Sequence, residues 1–139
     1  MAPSRLASLR DLQPSQLYVS REKLATVLAS WPDRSPATLG PLPVKRHADR
    51  LVLTDGHTRA LAAHRAGLAA VLVVDDEDAL DDEAYEICVR WCLEAGIESV
   101  ADLDAHVVSP EDYERLWLDR CRALHRELAA RRAPKPQGP

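Results

Sequence analysis

The chain has 139 residues, 46% of them hydrophobic, with a formal net charge of −4, three tryptophans, three tyrosines and no phenylalanine. That length supports one domain with a real core and hardly two. The net negative charge supplies no general field for polyanions, the few aromatics leave few platforms for single-stranded bases, and no apolar run reaches the 18 residues of a membrane span.

In chain order, the opening Met1-Ala2-Pro3-Ser4-Arg5 lacks the apolar segment of a secretory signal, so a cytoplasmic location is expected. Residues 16–19 read as a short strand, and Ser20 as the cap of a helix through Trp31 whose apolar face is Leu24, Val27 and Leu28. Pro32 ends that helix. A proline-rich loop over 32–43 then leads into a hairpin, with strands at 42–45 and 51–54 and a turn at His47-Ala48-Asp49.

The most informative stretch follows: Leu51-Val52-Leu53-Thr54-Asp55-Gly56-His57-Thr58-Arg59-Ala60-Leu61. An apolar strand passes through one polar turn into an alanine-rich helix, predicted over 57–66 and stopped by Gly67. The first N–H groups of a helix lack partners within it and carry the positive end of its dipole, so such a turn suits an anion. Gly56 lets the backbone approach a ligand, Thr58 offers a hydroxyl, Arg59 offers a planar fork for phosphate oxygens, and Asp55 could hold Mg2+. The positive helix end disfavours imidazolium, making His57 a neutral donor. Capping alone would account for Asp55 and Gly56. It leaves unexplained a His, a Thr and an Arg in a first turn where carboxylates would suit the dipole better.

A buried strand is expected at 71–74, followed by seven acids in the nine residues from Asp75 to Glu83. These read as a solvated loop whose later members favour the start of the next helix, or, through Asp75 and Asp76, as further magnesium ligands beside Asp55. Helices are predicted over 82–95, 100–104 and 110–131, the last opened by Ser109-Pro110-Glu111-Asp112. Its stripe of Tyr113, Leu116, Trp117, Cys121, Leu124 and Leu128 could pack on Ala84, Ile87, Cys88, Trp91 and Cys92 or against a second copy, so a homodimer stays open. Cys88 and Cys92 are one turn apart, as are Cys121 and His125, a spacing that would suit zinc. The three cysteines lie on apolar stripes, where a thiol behaves as a small hydrophobe, and the core reading is preferred to zinc. The expected organisation is a core over 1–80, a helical extension packed on it over 81–132, and a disordered tail over 133–139.

The run from Leu53 to Arg59, with the helix up to Gly67 and the strand at 71–74, resembles the ParB/sulfiredoxin superfamily over residues 12–74. The resemblance implies an α+β fold, a small mixed sheet with helices, here followed by a helical C-terminal extension. It also implies that Gly56, His57, Thr58 and Arg59 bind nucleotide phosphates (ATP, ADP or CTP) with Mg2+ on Asp55, and that Asp55 and His57 are the catalytic candidates. Sulfiredoxins place a catalytic cysteine just after the glycine, where this chain has His57, which sets sulfinic acid reduction aside. Chromosome-partitioning ParB proteins carry a Gly-Glu-Arg-Arg type turn and continue into helix-turn-helix and dimerisation domains. Free-serine kinases carry an Asp-Gly-His-His-Arg type turn, matched by Asp55, Gly56, His57 and Arg59 with Thr58 in place of the second histidine. Those kinases use an upstream glutamate as base, and Leu12-Gln13-Pro14-Ser15-Gln16 contains no carboxylate. Two readings follow: a ParB-like nucleotide-phosphate-binding protein, or a small-molecule kinase acting on a free, serine-like amino acid with ATP or ADP. A DNA-associated accessory role is a third, by analogy with ParB relatives.

Overall fold

The computed structural model describes residues 3–134. Five strands form a mixed sheet in the order β1-β6-β4-β5-β2, with β1 at Ser4–Ser8, β2 at Leu12–Gln13, β4 at Leu42–His47, β5 at Arg50–Leu53 and β6 at Ala70–Asp75. The predicted hairpin is β4–β5, antiparallel from Val44 opposite Leu53 to His47 opposite Arg50, and its tight turn holds Ala48 at φ +53°. The buried strand expected at 71–74 is β6, which pairs in parallel with β4 and antiparallel with β1.

Three pairings escaped the sequence, those of β1 with β6, of β2 with β5 and of the short strand near residue 19 with one near 107. Strand β1 lies at a sheet edge with its first three residues exposed, so its alternation carries little apolar signal. Strand β2 is only two residues long, and its Gln13 is buried because Nε2 donates to the carbonyls of Pro14 and Ile97 while Oε1 accepts from Arg50. The strand expected at 16–19 shrinks to β3, Val19–Ser20, which pairs in parallel with β7, Val107–Val108. Tyr18 instead lies in the loop ahead of β3, its ring tilted against His106.

Helix α1, Arg21–Ala29, begins at its predicted cap, where the Ser20 side chain accepts from the Lys23 amide. The proline-rich loop contains a short helix, α2 at Pro36–Leu39, capped by Ser35. Helix α3, His57–Arg65, crosses from β5 to β6 with Ala60, Leu61, Ala62 and Ala63 fully buried. Small side chains on that face let the helix lie close to its neighbours.

Helix α4 spans Asp82–Glu94, and a 3-10 helix at Val100–His106 leads to β7. The last helical stretch is continuous but not uniform. Helix α5 at Pro110–Tyr113 passes through a π-helical turn at Glu114–Leu118 into α6 at Asp119–Arg132. The expected stripe holds across the wider turn, with Tyr113, Trp117, Leu124 and Leu128 buried and Leu116 and Cys121 partly exposed. The stripe packs within the chain: Tyr113, Trp117 and Cys92 share one core with Leu12, Val44 and Leu53 of the sheet. The end of the acidic run is structural. Asp81 caps α4 through the Ala84 amide, and Arg132 pairs with Asp81 and Glu83. No helix among the described residues is long and apolar enough to cross a membrane. The tail expected from Ala133 lies outside the described residues beyond Pro134.

Candidate functional site

The polar turn between β5 and α3 has the geometry of an open helix start. Gly56 is the N-cap residue, in the left-handed region at φ +75°, ψ +23°, and among the described residues no side chain caps the helix. The exposed Asp55 turns back on the loop, its Oδ1 accepting from the Gly56 amide at 2.8 Å. The first amides of a helix have no partner within it, and no side chain among the described residues caps this one.

Gly56 is favoured by packing as well as by its φ. A β-carbon there would stand 3.0 Å from Leu42 Cδ2 and 3.1 Å from Arg59 Nη2. Arg59 folds over the turn, and its Nη1 donates to the carbonyls of Leu39 at 3.2 Å and Pro41 at 3.5 Å. It thus braces the α2–β4 loop against α3. One nitrogen makes both bonds, so the rest of the fork stays available. Thr58 is half-exposed on the outer side of the turn, where it lines a shallow depression with Glu22, Lys23 and Thr26 of α1.

His57 turns inward and is 3% exposed. Its Nε2 accepts from the Ser15 amide at 2.9 Å, which leaves the neutral ring's proton on Nδ1, a buried atom without a partner. Burial pulls its pKa down to about 4 against an opposing pull from the Asp55 carboxylate, so the ring is neutral at physiological pH. The sequence reading of a neutral imidazole agrees with this direction. The ring's exposure differs from that reading, because it is packed beneath the turn instead of standing in it.

Behind His57 lies a cavity of about 210 Å³ between the start of α3, helix α4 and the last helix, lined in part by Ser15, Gln16, Thr54, Tyr85 and Trp117. Tyr85 donates to the Thr54 carbonyl at 3.0 Å, and its phenol is raised by burial and then by the charges of Asp76 and Asp55. The two acids proposed beside Asp55 part company. Asp76 accepts from the Thr54 hydroxyl at 2.8 Å, next to the turn, whereas Asp75 pairs with Arg5 across β1 and β6. Cys88, Cys92 and Cys121 pack in the apolar core, where burial pushes their thiols up to about 12, 12 and 11, and His125 is exposed. No group of three or more metal-binding side chains gathers among the described residues.

Sequence reasoning missed Ser15, Lys23, Tyr85 and Tyr113, which reach the turn's surroundings from four distant segments. Only Lys23 carries a signal: it is a cation in the first turn of a helix, where a carboxylate would suit the dipole.

No protein-family model matches the sequence, and no curated protein matches it significantly. Solved structures do. Protein Atu1540 from Agrobacterium tumefaciens aligns at a TM-score of 0.51 and 20% identity over 78% of this chain. The C-terminally truncated chromosome-partitioning protein ParB from Caulobacter crescentus, complexed with CTP-gamma-S, aligns at 0.46 and 29% over 66% of this chain. The chain spans 63% of the first and 53% of the second, less than two thirds of either. Its fold is α+β, a small mixed sheet with helices, as expected, and is shared with protein Atu1540.

Proposed function

We propose that this chain binds the phosphates of a nucleotide at the N-terminus of α3. The observation that carries the reading is a nine-residue helix that opens on a left-handed glycine with no capping side chain and with Thr58 and Arg59 in its first turn. Phosphate oxygens would take the amides of His57 and Thr58, the Thr58 hydroxyl and the edge of Arg59 that does not hold the loop. Asp55 keeps one oxygen free beside that position and would bind the Mg2+ that neutralises the phosphates. His57 shapes the floor of the turn through Ser15.

Isothermal titration of the protein with ATP, ADP, CTP and GTP, each with and without Mg2+, tests this, with Thr58→Glu as the control. A carboxylate in the first turn suits the helix dipole, so the variant should fold at least as well while repelling phosphate. The expected result is submillimolar binding that Thr58→Glu abolishes. Binding left intact in the variant, or absent from the wild type, overturns the reading.

A second reading, phosphoryl transfer to a small acceptor such as a free amino acid, draws on Glu22, which shares the depression with Thr58 and Lys23. The acceptor hydroxyl would attack the terminal phosphorus, Glu22 would take its proton, and the shortened nucleotide would leave. Transfer should then vanish in Glu22→Gln and Asp55→Asn while nucleotide still binds. Undiminished transfer in either variant would remove that residue from the reaction.

A further inference from the structure

Helices α1 and α3 pack together, and residues of their first turns, Glu22 and Lys23 of one and Thr58 of the other, line one depression. Lys23, third residue of α1, lines the depression that exposes Thr58 and also the adjoining one against Tyr113 and Pro110. Its ammonium sits 5.0 Å from the centre of the Tyr113 ring. The ring is itself fixed, since its hydroxyl accepts from Gln16 Nε2 at 3.3 Å. The carboxylates of Glu22 and Glu114 line the same surface, yet among the described residues Lys23 makes no ion pair. A lysine in the first turn of a helix opposes the dipole, so the helix itself gives no reason for a cation there. An aromatic face holds the cation between the two depressions while leaving its protons free to donate.

We infer that Lys23 contacts the terminal phosphate of the bound nucleotide, so that the site prefers nucleoside triphosphates to diphosphates. The inference rests on phosphate binding at α3 and extends it by one subsite. The inner phosphates lie on the α3 amides. The outermost reaches across the depression to the Lys23 ammonium, a compact point charge suited to a terminal group that carries most of the chain's negative charge. Tyr113 is a positioning residue, holding the lysine without touching the nucleotide.

The test is calorimetry with ATP, ADP and AMP in the presence of Mg2+, run in parallel with CTP, CDP and CMP, on wild type, Lys23→Met, Lys23→Arg and Thr58→Glu. Lys23 is exposed, so its replacement leaves the core intact. The wild type should bind triphosphate about tenfold more tightly than diphosphate, as one charged hydrogen bond provides. Lys23→Met should bring that ratio to about one with monophosphate affinity unchanged, and Lys23→Arg should restore part of it. A ratio that survives in Lys23→Met, or is absent from the wild type, overturns the inference while Thr58→Glu still reports on the α3 site. No binding of any nucleotide by the wild type overturns both.

Discussion

At the scale of single residues, the turn holds two groups that pay for their positions in opposite ways. Gly56 combines a positive φ with contacts so close that Leu42 and Arg59 would have to shift for a methyl group. Gly56→Ala should therefore destabilise the fold by about 1–3 kcal/mol, read as a lowered urea midpoint, and a wild-type midpoint would show that Leu42 and Arg59 yield freely. His57 is neutral and buried, with its folded pKa near 4 against 6.5 when exposed. Below pH 6.5 the unfolded chain takes up a proton that the folded chain refuses, so stability present above that pH is lost progressively as pH falls towards 4. Between pH 7 and pH 5 the loss should be about 2 kcal/mol, measured by urea unfolding, and absent from His57→Gln. Equal losses in the two proteins would contradict the burial account. From sequence, the pattern Asp55-Gly56-His57-Thr58-Arg59 was legible as a helix start. The burial of His57 was not, because it depends on Ser15 arriving from 42 positions away.

At the scale of elements, the last helical stretch decides how the back of the site is closed. Its π turn at Glu114–Leu118 keeps Trp117 and the residues beyond it aligned with the core, and the Trp117 ring meets Trp91 of α4 edge-on, with centroids 6.3 Å apart. Trp117→Ala should cost about 3–5 kcal/mol in urea unfolding, as for other buried aromatics, and a loss below about 1 kcal/mol would mean that the helix docks without it. Arg131 and Arg132 fasten the same helix to Asp81 and Glu83 at the start of α4. These pairs are exposed, so salt screens them. Amide exchange at the end of α6 should quicken with added salt or in Arg132→Ala, and indifference to both would rule out a fastening role. The cap, proline and acids at the start of α5 made the helix readable. The π turn left no mark in the sequence, since an extra residue in one turn changes spacing without changing composition.

At the scale of the whole molecule, sheet, crossover helix and the first part of the last helical stretch share one core, with Leu12 and Leu53 in the same cluster as Ile97, Leu103 and Trp117, while Leu124 and Leu128 of α6 form a smaller one with Ala84. A chain ending at residue 80 should lose cooperative thermal unfolding, and a sharp transition in it would contradict that dependence. The hairpin, α3 and β6 were readable because their apolar runs are long and bounded by Pro, Asp and Gly. Strands β1, β2 and β7 were not, being short or exposed and defined by partners far along the chain. The same distance hid Lys23 and Tyr113. The central claim is phosphate binding at the start of α3, and amide-resolved NMR titration with a nucleoside triphosphate and Mg2+ tests it most directly. The account predicts the largest shifts at the amides of Gly56, His57 and Thr58, with smaller ones at Lys23. Shifts centred elsewhere, as on the cationic hairpin residues Lys45 and Arg46, or no shifts at all, would contradict it.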